Sequence, residues 1–136
     1  MTASNRLPRI VCIVEARSNS MRFPGKVLMP ILGEPMLARM IERLRRCRTL
    51  DDIVVATTDH PADESIVRFA EAFGVAVFRG SEEDVLDRVV GAATASRADV
   101  IVETTGDCPL VDPGLVDKVV GDFLVGGADF VSNILP

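Results

Sequence analysis

Tryptophan and tyrosine are absent from this 136-residue chain, and histidine occurs once. Any base-stacking platform would fall to six phenylalanines, all set among core-like neighbours, so a stacking-type nucleic-acid surface is not expected. Positive charge is also short. Fifteen Lys and Arg stand against 20 Asp and Glu, a formal charge of −5 that argues against the broad basic face nucleic acid demands. The three cysteines, Cys12, Cys47 and Cys108, are odd in number and widely spaced, which gives neither a disulfide framework nor a zinc pattern. No apolar run exceeds strand length and the N-terminus is polar, so neither a membrane span nor a signal peptide is expected. The expectation is a cytoplasmic protein with no nucleic-acid or membrane partner.

What the chain does have is 48% hydrophobic residues, enough for one globular domain with a real core. The runs Ile10–Val14, Ile53–Ala56, Val75–Phe78 and Val100–Val102 are rich in β-branched residues, as strands covered on both faces require. Phe130–Val131 is a weaker fifth. Between them lie apolar residues at helical spacing: Met36, Leu37, Met40, Ile41 and Leu44; Ile66, Val67, Ala70 and Phe73; Val85, Leu86, Val89, Val90 and Ala93; Leu115, Val116, Val119, Val120 and Phe123. Boundary chemistry agrees. Ser81 with Asp84 resembles a capping box, Asp112 followed by Pro113 is an N-cap with Pro in the first turn, and Gly74 and Gly126–Gly127 read as helix ends. This alternation predicts an α/β fold, three-layer α/β/α, with a mainly parallel sheet and helices on both faces.

The one long structureless stretch, residues 16–30, follows the first strand, and ligands of open α/β sheets bind beyond the carboxyl ends of the strands. It contains Ala16-Arg17-Ser18-Asn19-Ser20-Met21-Arg22-Phe23-Pro24-Gly25-Lys26. Three cations, two serines and a Pro-Gly turn combine neutralising charge with accessible backbone N–H groups, which suits a polyphosphate. The stretch is neither a Walker A loop nor a GxGxxG turn. Composition alone leaves it balanced between a phosphate site and an ordinary solvated loop.

Residues Ile13–Leu28 resemble the opening motif of CMP-sugar synthetases, most closely the spore-coat-polysaccharide cytidylyltransferases, related to the CMP-Kdo and CMP-sialic acid synthetases. Three further stretches resemble the same family in order and spacing: Val54–Asp59, Val77–Arg88 and Thr105–Pro113. The resemblance spans nearly the whole chain. It implies a nucleotide-diphospho-sugar transferase (Rossmann-like) fold and transfer of CMP from CTP to a sugar, with release of pyrophosphate, in surface polysaccharide or glycoconjugate synthesis. By similarity, Arg17, Lys26 and Asp107 are the expected catalytic residues. Ala16, Arg17, Ser20, Arg22, Lys26, Arg79 and Thr105 are expected to bind nucleotide, and Asp107 to bind Mg²⁺. The implied partners are CTP, an acidic sugar and a second copy of the chain. Asp107 as a plain turn-former and Arg79 as a surface charge remain open readings. Thr57 and Asp59 read better as a loop before Pro61, and Cys108 as a packed, inert thiol with no histidine in reach. Asp87 and Arg88 are open between a helix-surface pair and the pocket.

The chain also departs from the family. Glu15 stands where these enzymes usually have Gln, Glu103 where the nearest group often has Arg, Asn19 for Gly and Met21 for Thr. Negative charge at the strand ends should weaken triphosphate binding unless it is paired. Family members continue well beyond Pro136, so residues 1–136 are expected to be a single nucleotide-binding domain corresponding to the N-terminal part, truncated. Two other readings stay open: a nucleotidyltransferase for another base, and a non-catalytic nucleotide-binding or self-associating fragment.

Overall fold

A computed structural model describes residues 6–134. Its first strand, β1 (Ile10–Glu15), is buried from Ile10 to Val14, and the run Ile-Val-Cys-Ile-Val leaves no polar side chain to face water. A 3-10 turn at Lys26–Leu28 is followed by a small antiparallel hairpin, β2 (Pro30–Ile31) and β3 (Glu34–Pro35), within and just after the stretch expected to be structureless. Helix α1 (Met36–Leu44) then buries Leu37, Ala38, Met40, Ile41 and Leu44 on one face. Next come β4 (Asp52–Thr58), α2 (Glu64–Ala72), β5 (Ala76–Gly80), α3 (Val85–Ala95), β6 (Val100–Thr105) and α4 (Pro113–Gly126).

The main sheet has the order β5-β4-β1-β6 and every neighbouring pair is parallel. Register sorts the side chains by parity. Cys12 and Val14 of β1 join Ile53 and Val55 of β4 beneath α1 and α2, with Val116 of α4 packed alongside. Val11 and Ile13 join Val54 and Ala56 beneath α3. The three expected layers are present. Each buried Val and Ile among these contributes roughly 1.5–3 kcal/mol on burial, so the β1–β4 pair is the sheet's thermodynamic centre.

The ends of elements follow local chemistry. Asp112 accepts from the Leu115 N–H at 3.0 Å and caps α4, with Pro113 in the first turn as predicted. At α3 the expected box is replaced. Asp84 caps the helix by accepting from the Asp87 N–H, and Ser81 instead accepts from the Asp84 N–H, shaping the turn before it. Phe130–Val131 forms no strand. Two apolar residues between Asp129 and Ser132 give too short a run to pair. Among the described residues no helix is long and apolar enough to cross a membrane.

Candidate functional site

The exits of β1 and β6 meet at one end of the sheet, and the loop Ala16–Lys26 is slung between them. Ala16 is buried and its N–H donates to the Ala56 carbonyl at 3.1 Å, so the loop leaves from the core. It returns through Val27, also buried. Between these anchors the Ser18 carbonyl accepts from the N–H groups of Ser20 (2.9 Å) and Gly25 (2.8 Å), which knots the loop at its centre. Gly25 turns the chain at φ +68°, a left-handed conformation that glycine adopts without steric cost. Arg17, Met21, Arg22 and Phe23 stay exposed, and the Ser20 hydroxyl accepts from the Phe23 N–H. The polar half of the loop therefore faces solvent while its ends are rooted in the core.

At the β6 exit, the Gly106 N–H donates to the Glu15 carbonyl at 2.7 Å. A Cβ on Gly106 would lie 2.8 Å from that oxygen and 3.2 Å from the Ala16 Cβ, so only glycine lets the two strand ends come this close. The closure brings Asp107 beside the loop, where its carboxylate pairs with the Lys26 ammonium at 2.5 Å. Hydrogen bonds from Lys26 and then Thr105 hold the Asp107 carboxyl below its ordinary range, so it is ionised at neutral pH. A partly exposed pair of this kind adds only about 0–1 kcal/mol to stability. Its placement matters more than its strength. It sets a flexible cation and a hard oxygen anion side by side at a strand end.

Ala16, Lys26, Thr105 and Asp107 are thus brought together, with Arg17, Ser20 and Arg22 on the same loop. Arg79 stands apart. Its guanidinium donates to the carbonyls of Thr58 (3.1 Å) and His60 (3.2 Å) and to the Glu64 carboxylate (2.8 Å), tying the end of β5 to the start of α2. Cys108 is exposed rather than packed, with its Sγ 3.6 Å from the Thr105 hydroxyl. It lies in the open turn after β6, where the chain has no core to enter. Among the described residues no cluster of three or more His, Cys, Asp or Glu forms. Asp107 offers a hard oxygen donor at the strand end, the type of protein ligand of which Mg²⁺ commonly takes one or two beside phosphate and water.

The two departures at the strand ends prove to be coupled. Glu15 and Glu103 lie on the α3 face, two residues apart in register. Burial, followed by a hydrogen bond to Glu103 and that carboxylate's charge, pushes the Glu15 carboxyl up to about 7. Arg88 lies beneath them, 2% exposed, with one amino group 3.8 Å from Glu15 and the other donating to the Ser81 carbonyl. The negative charge is thereby blunted by the proton that Glu15 retains towards neutral pH and by a buried cation. Arg88 is therefore neither a surface partner of Asp87 nor a lining residue of the cleft formed by Ser18, Gly25 and His60, but a buried cation beneath Glu15.

Sequence reasoning missed Asp63. It is 1% exposed in the 3-10 turn Pro61–Asp63 and accepts from the Ser18 N–H at 2.6 Å. The available signal was a carboxylate two residues after a Pro in a strand-to-helix turn, which reads as a helix cap and gives no hint of the loop it reaches. An open cleft of about 570 Å³ lies above it, lined by Ser18, Asn19, Pro24, Gly25, His60 and Ala62. Lys26 and Asp107 border the loop's other side.

Residues 11–135 match the family model described as Cytidylyltransferase. The spore coat polysaccharide biosynthesis protein SpsF of Bacillus subtilis (strain 168) is 38% identical over 125 residues, covering 89% of this chain and 52% of that protein. Among solved structures, a cytidylyltransferase from Leptospira borgpetersenii serovar Hardjo-bovis (strain JB197) superposes with a TM-score of 0.84 at 36% identity, over 90% of this chain and 51% of that one. A CMP:2-keto-3-deoxy-manno-octonic acid synthetase complexed with CTP superposes with a TM-score of 0.74 at 27% identity, over 88% of this chain and 49% of that one. The chain spans about half the length of the curated relatives it matches. The fold expected from the resemblance is the fold observed, and the chain belongs to the cytidylyltransferase family.

Proposed function

We propose that this chain holds CTP for an Mg²⁺-dependent cytidylyltransferase that transfers CMP to the hydroxyl of an acidic sugar and releases pyrophosphate, in surface polysaccharide synthesis. The observation that carries the reading is the Lys26–Asp107 pair, which joins the cation-rich loop to the end of β6. Nucleotidyl transfer needs in-line positioning and charge stabilisation more than covalent help from the protein. Arg17, Arg22 and Lys26 would draw in the triphosphate and balance the charge that grows on the departing pyrophosphate. Ser20 would add a hydroxyl donor, and Ala16 and Thr105 would line the nucleotide side. When triphosphate enters, Lys26 exchanges one anion for another and leaves the Asp107 carboxylate free for a cation. Mg²⁺ bound there would neutralise phosphate charge and polarise the α-phosphate. Arg79 reaches a nucleotide only by giving up part of its three contacts, so its role as a base-side contact is the most demanding of the set.

The likeness to the CTP-bound CMP:2-keto-3-deoxy-manno-octonic acid synthetase supports both the nucleotide and an acidic sugar. Three free thiols and the lack of a membrane-crossing helix among the described residues support a cytoplasmic setting. Exposed apolar side chains, such as Ile101 on the edge strand β6, Leu124 on α4 and Phe130, support a homodimer.

Calorimetric titration of the chain with CTP, GTP and ATP, with and without Mg²⁺, tests the reading. CTP should bind best and more tightly with Mg²⁺. Lys26→Ala should weaken binding at least ten-fold, and Asp107→Asn should remove most of the Mg²⁺ dependence. No CTP binding, or binding indifferent to both substitutions, would overturn it.

A further inference from the structure

The loop Ala16–Lys26 carries five positions of the proposed nucleotide site, yet its exposed middle has no secondary structure. Something must hold its shape before a ligand arrives, since ordering a flexible loop costs roughly 1–2 kcal/mol per residue. Lys26 holds only the far end, and the Lys26–Asp107 pair must open when phosphate binds. The near end is held differently. The Asp63 carboxylate accepts the Ser18 backbone N–H at 2.6 Å through one oxygen and is bound by the Thr58 hydroxyl and N–H through the other. Thr58 is the last residue of β4, so the carboxylate clamps the loop to the end of a core strand.

The clamp reaches further than its own bonds. Ser18 is the residue whose carbonyl receives both the Ser20 and the Gly25 N–H. The Ser18 N–H and C=O lie in the two peptide planes that meet at its Cα, so holding the N–H anchors the residue whose carbonyl gathers the rest of the loop. Arg17 precedes this knot, Ser20 lies inside it, and Lys26 follows Gly25. Burial alone would raise the Asp63 carboxyl, but hydrogen bonds from Thr58 and Ser18 outweigh it and hold the group below its ordinary value. It is therefore a charged acceptor, and charge-assisted hydrogen bonds are about twice as strong as neutral ones. Its buried position bars direct contact with a ligand in the cleft above.

Resting on the proposed nucleotide site, we infer that Asp63 is a positioning residue for the triphosphate loop, clamping Ser18 to the end of β4 so that Arg17, Ser20 and Lys26 are preorganised for a nucleoside triphosphate. Preorganisation raises affinity by removing an ordering cost, without adding a contact. Asp63→Asn keeps size and one carbonyl acceptor while losing the charge and one acceptor position. Thr58→Val is the comparison, since it removes a hydroxyl partner of Asp63 and leaves the Ser18 bond in place.

Amide hydrogen exchange on the nucleotide-free chain, read by NMR, decides the clamp. Calorimetry with Mg²⁺-CTP decides its consequence. In the wild type the Ser18, Ser20 and Gly25 amides should exchange at least ten-fold more slowly than the exposed Met21 amide. In Asp63→Asn that protection should fall while the amides of β1 and β4 keep theirs, and CTP affinity should drop five- to fifty-fold. Thr58→Val, which removes the hydroxyl tie to β4 but keeps the Thr58 N–H and the Ser18 bond, should lower both in the same direction and by less than Asp63→Asn. Wild-type Ser18 exchanging as fast as Met21 overturns the inference even if Asp63→Asn does not fold. Wild-type CTP binding that Asp63→Asn leaves unchanged overturns it too. A wild type that binds no CTP would remove the nucleotide site and leave the exchange data to judge the clamp alone.

Discussion

Glu15 and Asp107 sit at the ends of adjacent strands and are driven in opposite directions by their surroundings. Asp107 has Lys26 and Thr105 as donors and stays ionised. Glu15 is desolvated against Glu103 and keeps its proton up to about 7. The folded state binds that proton more tightly than the unfolded chain, so the stability it contributes is fully present below the ordinary value of 4.5 and is lost as pH rises through about 7. Glu15→Gln should therefore match the wild type near pH 5 and exceed it at pH 8 by on the order of 1–3 kcal/mol, measured by urea denaturation. The same substitution should flatten any loss of CTP affinity above neutral pH. Equal pH slopes for the two proteins would show that Glu15 is not the titrating group. Glu15 and Glu103 were visible in the sequence as departures from a family pattern. Their partnership was not, because it depends on a register between β1 and β6 and on Arg88 arriving from α3. Asp63 was hidden for the same reason: its partner Ser18 lies 45 residues away.

At the scale of elements, the strands were legible from their β-branched runs: β1 and β4 are buried on both faces as expected, β5 and β6 are only partly covered, and all four were found within a few residues. The hairpin β2–β3 was not, since two-residue strands carry no periodicity. Phe130–Val131 misled because apolar character alone does not supply a pairing partner. Two glycines separate close approach from mere helix composition. Gly106 holds the ends of β1 and β6 together, and Gly106→Ala must move backbone to seat its Cβ. It should destabilise by about 1–3 kcal/mol and also weaken nucleotide binding. Gly121 lies inside α4, and a Cβ added there would meet nothing within 4 Å, so Gly121→Ala should stabilise by about 0.5–1 kcal/mol. Thermal denaturation of both variants checks the pair. A neutral Gly106→Ala would mean that the strand ends are not fixed by this contact.

For the whole molecule, α3 lies over β5, β4 and β1 and leaves the same face of β6 open. Ile101, Glu103 and Thr105 are exposed there, and β6 is the edge of the sheet among the described residues. Edges of this kind are normally paired or covered. The chain spans about half the length of the relatives it matches. Nucleotide holding is the claim that belongs to these residues themselves. The most direct test is an NMR titration of the chain with Mg²⁺-CTP. Amide shifts should concentrate at Arg17–Lys26 and Thr105–Cys108 and saturate together. Shifts confined to residues away from this loop, such as those before β4 and β5 at the other end of the sheet, or no shifts at all, would contradict a triphosphate site between β1 and β6.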